Sequence, residues 1–290
     1  NQQGTYEIGG TAANDIKFIN VNASNFFASG DAHDYCRYQV PHVAGELGNR
    51  GMMGTNYCRN FYFKNCRLVN FDAHKGLGNL TIENCELQSI LIMGAGNILI
   101  KDSVKYVGTR VRSIISYRTD YGASFRGDIT LENVELKYSD ESSVSSNNPL
   151  RVLNTSYQPD NDYDTTLDKA TGKQVAGEGS TNYMVTTLTL KGIKVTKYEM
   201  VEYIEKNEDG FNDIVEKIVT ANDPLYIFPK GISGYAGDIS KFAVNGGVSN
   251  LNRYIPPISI TIENSYSNIV LPTSVTFKNT VVTIDGKEQD

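Results

Sequence analysis

The sequence of 290 residues contains no tryptophan, three histidines and four cysteines. No two cysteines form a Cys-x-x-Cys pair and histidine is scarce, so we expect no zinc site and no other metal. Asp and Glu (33) outnumber Lys and Arg (27), and the resulting net charge of −6 argues against a nucleic-acid partner, because such proteins present basic stripes.

The sequence also argues against a membrane-spanning protein and against a nucleotide-binding protein. No apolar run reaches the roughly 18 residues of a membrane-spanning helix, so we expect no membrane partner. The glycine-rich stretch 45–54 lacks the Lys-Ser/Thr pair of a phosphate loop, which argues against nucleotide binding. The sequence therefore points to no cofactor.

A short pattern is present instead and recurs along the chain. Apolar and polar residues alternate, an Asn, Asp or Gly follows in most copies, and a small or β-branched residue comes next. Copies occur at 16–21, 61–66, 80–85, 98–103, 129–134, 188–193, 260–265 and 275–280. Alternation with period two is typical of strands, and a repeat of about 20 residues indicates stacked units that bury their inner faces against one another. We therefore predict one all-β domain, 1–290.

The residues that end each copy have a structural explanation. Asn tolerates the left-handed backbone conformation needed at a bend, and Asn65, Asn84 and Asn133 are predicted to stack as a ladder. Cys66 and Cys85 hold the same place in adjacent repeats. We interpret them as buried free thiols in an inward stack, not as a disulfide framework.

Four stretches depart from the repeat. Residues 31–60 read as a long loop of the kind that is often functional, and the polar segment 140–182 as a projecting loop insertion. Apolar residues at three- and four-residue steps favour a helical insertion in 199–220. The Arg-Val-Arg run at 110–112 is interpreted as a solvated turn. Because the chain begins without Met in a Gly-rich turn, we interpret it as a fragment of a longer protein.

The strand–Asn–small pattern resembles the right-handed parallel β-helix of the pectate-lyase-like superfamily, over about residues 15–140 and 185–285. Within it, 70–74 and 114–122 are similar to segments of β-helical phage tail-spike and appendage proteins. This resemblance implies a virion-tail or extracellular homotrimer that recognises, and often cleaves, a bacterial surface polysaccharide. The calcium carboxylates and catalytic Arg motif of pectate lyases have no clean match in this chain.

The repeat also predicts which side chains share a face. Counting six residues on from Asn65 and Asn84 reaches Phe71 and Ile90, and Ile114 is the best match in the next coil. The residues at alternate positions then point outward. They are Asp72, His74, Leu91, Met93, Ile115 and Tyr117. An apolar patch with polar groups around it usually marks a ligand groove or an interface.

Three interpretations of this face stay open. In the first it cleaves a polysaccharide, with candidate catalytic residues Asp72, His74 and Asp120 and candidate substrate-binding residues Tyr117, Arg118 and Tyr121. Carboxylates two coils apart lie roughly 10 Å apart, near the ~6.5–9.5 Å of inverting glycosidases, with Asp72 as the acid. Alternatively His74 is the base of a lyase and Arg118 neutralises a uronate. In the second interpretation the face only binds sugar, and in the third it is a subunit interface.

Overall fold

The computed structural model describes residues 15–20, 52–107, 112–117, 125–139, 144–145, 149–154, 165–168, 173–176, 182–183, 185–204, 213–228, 254–255, 257–271 and 280–289. Every regular element within these ranges is a strand, and none is a helix. The strands are β1 (Asp15–Ile19), β2 (Met52–Lys64), β3 (Arg67–Glu83), β4 (Glu86–Ile92), β5 (Gly94–Lys101), β6 (Val104–Tyr106), β7 (Ser113–Tyr117), β8 (Phe125–Glu132), β9 (Glu135–Ser139), β10 (Leu150–Asn154), β11 (Thr165–Asp168), β12 (Lys173–Ala176), β13 (Asn182–Tyr183), β14 (Thr187–Lys191), β15 (Lys194–Ile204), β16 (Asp213–Val219), β17 (Leu225–Tyr226), β18 (Tyr254–Ile255), β19 (Ser259–Glu263), β20 (Ile269–Val270), β21 (Val281–Ile284) and β22 (Lys287–Gln289).

Most strands pair in parallel, in three columns that run through the chain. The first column is β1–β2–β3–β5–β8–β14–β19–β21. The second is β3–β4–β6–β9–β15. The third is β2–β3–β4–β7–β10–β17–β20. The long strands β2 and β3 each contribute to more than one column. The fold is therefore all-β with long parallel sheets, compatible with a β-helical solenoid.

The core lies on the inner face of these columns. In the first column one row of side chains is apolar in every strand: Ile16, Phe61, Leu80, Ile98, Ile129, Leu188, Ile260 and Val282. At its start Phe18, Phe61 and Phe63 stack with ring centroids 5.0 to 5.8 Å apart. Because each ring buries a large apolar surface, this stack contributes strongly to the stability of the first strands of the column.

The predicted Asn ladder is confirmed. The residues at the bend have positive φ: Asn20, Asn65, Asn84, Asp102, Asn133, Gly192, Asn264 and Asp285. Asn65 Nδ2 donates to Asn20 Oδ1 at 3.0 Å, and Asn84 Nδ2 donates to Asn65 Oδ1 at 2.8 Å. Further along, Asn133 Nδ2 donates to Asp102 Oδ1 at 3.0 Å. Each bend is thus held both by its own backbone preference and by its neighbour in the stack.

We expect Asn84→Ala to lower the free energy of unfolding by about 2 kcal/mol. The left-handed conformation at φ 50° costs an alanine roughly 1–2 kcal/mol, and the ladder hydrogen bond is lost as well. Asn84→Gly is the matched control, because glycine accepts this conformation and loses only the side-chain bond. Urea unfolding measures both variants. Equal losses for Ala and Gly would show that the backbone conformation contributes nothing.

The small residues after the bend form the predicted inward stack. Cys66 and Cys85 are buried free thiols. The Cys66 amide donates to Cys85 Sγ at 3.3 Å, and the Cys85 amide donates to Ser103 Oγ at 3.0 Å. A side-chain hydrogen bond with Cys66, followed by burial, raises the pKa of Cys85 above the usual range of a thiol. These thiols therefore act as small polar links between neighbouring repeats and are poorly suited to be nucleophiles.

The predicted helical insertion in 199–220 is wrong. Residues there belong to β15 and β16, which pair antiparallel with a bulge between Met200 and Glu202. The apolar steps that suggested a helix come from β-branched and aromatic residues, which prefer strands. The bulge also adds one residue to β15, so the strict alternation of apolar and polar residues is interrupted there. Apolar residues then recur three or four positions apart, as they do in a helix.

The predicted loop insertion 140–182 is wrong where β10 lies. β10 lies inside it, yet β10 joins the third column between β7 and β17, and Leu150, Val152 and Leu153 are fully buried. β11 and β12 form a separate antiparallel hairpin. The predicted long loop 31–60 is wrong for residues 52–60, which belong to β2. Residues 31–51 lie outside the described part of the chain.

Candidate functional site

The predicted site lies on the third column. The structure there contradicts the prediction that Asp72 is exposed to solvent. Asp72 lies in β3, opposite Gly54 of β2 and Leu91 of β4. Its exposure is 0%, although an outward, solvent-facing carboxylate was predicted. Leu91 beside it is half-buried. Alternation identifies the face of a strand but not what covers that face, and covering decides exposure.

Tyr117 was also predicted to face solvent, and that prediction is wrong. All five residues of β7 are buried, and Ile115 and Tyr117 belong to the hydrophobic core. The register differs by one residue from the predicted one, since Leu91 pairs with Ser116 and Ile92 with Tyr117. A one-residue slip exchanges the two faces of a strand, so the row that was predicted from Ile114 does not exist.

The other predicted site residues are not tested by the structure. His74 lies in β3, but its side chain is outside what the structure describes, as are residues 118–124 with Arg118, Asp120 and Tyr121. Of the six candidates, only Asp72 and Tyr117 therefore have a described environment, and both are buried. The catalytic and substrate-binding roles remain predictions.

Two arginines and a tyrosine on the third column form a second group, here called the arginine cluster: Arg112, Arg151 and Tyr226. The Arg151 amide donates to the Arg112 carbonyl at 2.9 Å. Arg151 of β10 is opposite Ser113 of β7 on one side and Tyr226 of β17 on the other. Arg112, Arg151 and Tyr226 are all half-buried. Burial lowers the pKa of both arginines, and the positive charge of Arg112 lowers that of Arg151 further.

Sequence reasoning missed this cluster for two reasons. The Arg-Val-Arg run at 110–112 predicts a solvated turn, and Arg151 lies in the polar segment 140–182, which predicts a loop insertion. The available signal was the apolar run around Arg151, Leu150-Arg-Val-Leu153, which interrupts an otherwise polar segment and is typical of a buried strand.

On the outward side of the first column, in contrast, positively and negatively charged side chains pair with one another. Its edge row alternates in charge: Lys64, Glu83, Lys101, Glu132, Lys191 and Glu263. Glu83 lies 3.0 Å from Lys101 and 3.5 Å from Lys64, and it accepts a hydrogen bond from the Tyr62 hydroxyl at 2.9 Å. The hydrogen bond from Lys101 holds the pKa of Glu83 below its usual value despite some desolvation. This row links neighbouring strands, and the charges of Glu83 and its two lysine partners compensate one another.

Within the described ranges no group of three or more His, Cys, Asp or Glu side chains is placed to hold a metal ion. The described residues also include no helix long and apolar enough to cross a membrane. Comparisons of the chain with protein-family models, with curated proteins and with solved structures found no match.

Proposed function

We propose that the chain is a right-handed parallel β-helix of the tail-spike or appendage type that recognises a bacterial surface polysaccharide along its third column. The observation that carries the proposal is the in-register repetition of strands. Successive strands lie about 4.8 Å apart, so side chains at one register position form a straight row along the stack. An extended, repeating polymer is the kind of ligand that such a row suits.

The third column offers the side-chain types that bind sugars. Leu91 and Met93 are half-buried apolar groups, and Tyr226 and Arg151 are half-buried beside one another in register. Aromatic and apolar surfaces pack against the faces of sugar rings, while guanidinium groups donate hydrogen bonds to their oxygens. The first column, whose charged row is already paired, fits a structural role better.

The proposal also includes the possibility of catalysis, in which the protein cleaves the polysaccharide that it binds. Because Asp72 is fully buried, a substrate does not reach it without a rearrangement, and the catalytic assignment falls mainly on His74 and Asp120. A non-catalytic binding module, or a structural virion or cell-surface β-helix, is the alternative. The proposal further includes assembly into a homotrimer and a virion-tail or extracellular location, both implied by the resemblance to tail spikes.

The proposal predicts that affinity grows with the length of the glycan. An array of bacterial polysaccharides first selects a binding glycan, and oligosaccharides of increasing length from that glycan are then used to compete with it. We expect inhibition to strengthen at least tenfold from one sugar to several repeats, because each coil adds contacts, and then to level off when the column is filled. Affinity that does not change with length, or no binding to any member of the array, would contradict the proposal.

A second measurement separates cleavage from binding. If reducing ends or unsaturated products appear, Asp120→Asn and His74→Ala should lower the rate by about 10²–10⁴ while leaving binding intact, which is the usual contribution of an acid or base. An unchanged rate in both variants would exclude the predicted catalytic residues. Sedimentation of the same samples tests the trimer: loss of glycan binding together with dissociation would indicate that the surface is an interface.

A further inference from the structure

We draw no further inference here: the strongest candidate, the outward face of the first column with its alternating row of lysines and glutamates, is a sheet face whose charges pair with one another within the chain, and nothing in the described part of the structure shows what covers it.

Discussion

Lys105→Met is expected to raise the free energy of unfolding at pH 7 by about 4 kcal/mol. Lys105 is fully buried, and its neighbours in register are Leu87 and Leu136, which are core residues. Its ammonium donates one hydrogen bond, to the Tyr106 carbonyl at 2.8 Å. Burial lowers the pKa of Lys105 to about 7. Met fills a similar volume and has no charge to desolvate.

The size of the effect follows from proton linkage. An unfolded lysine has a pKa of about 10.4, and each unit of difference corresponds to about 1.4 kcal/mol. Between pH 7 and about 10.4 the unfolded chain binds this proton and the folded chain does not, so the stability of the wild type rises with pH through that window. Below pH 7 Lys105 is charged in both states and its destabilising effect is complete.

The measurement is urea unfolding of wild type and Lys105→Met from pH 6 to pH 10. We expect the difference in stability to be largest at or below pH 7 and to shrink toward zero near pH 10. Taking the difference cancels the titration of other groups, such as Tyr138, whose pKa is raised by burial and by its hydrogen bond with Asp223. Lys194→Met, at an exposed position, is the control and should show no such trend. A difference that is constant with pH, or a destabilised Lys105→Met, would contradict the argument.

The position of Lys105 follows from the sequence by counting residues from each bend. Three residues after Asn84 lies Leu87, three after Asp102 lies Lys105, and three after Asn133 lies Leu136. The structure pairs these three residues in a row. Because the Asn-marked bend fixes the register locally, everything within a few residues of it could be predicted, including the Asn ladder and the buried thiols.

The predictions fail where no such marker lies nearby. Between Asp102 and β7 the chain has an insertion, so the register of β7 had to be matched by residue type, and adjacent isoleucines at 114 and 115 fit equally well. A slip of one residue then reversed the predicted faces. The burial of Asp72 could not be predicted, because alternation assigns a side chain to one face of a strand and does not tell what covers that face. The all-β fold was therefore more predictable than the candidate site.

Gly127→Ala is expected to be the most damaging single substitution among the glycines in the strands of the first column, lowering stability by more than about 4 kcal/mol. A Cβ atom at Gly127 would lie 1.7 Å from the Gly96 carbonyl oxygen, and one at Gly96 would lie 2.1 Å from that of Gly78. At φ 153° and 154° both backbones also adopt a conformation that L-residues avoid. β8 pairs with β5 on one side and β14 on the other, so it has no direction in which to relax.

Gly286→Ala is the control. The φ of Gly286 is also positive, at 79°, but no atom lies within 4 Å of an added Cβ, so the expected loss of stability is about 1–2 kcal/mol. The yield of folded protein and the urea midpoints compare the two variants, with Gly127→Ala expected to recover little folded protein. Similar losses for both would mean that β8 and β5 separate easily at Gly127, and the close backbone contact would then contribute little to the stability of the sheet.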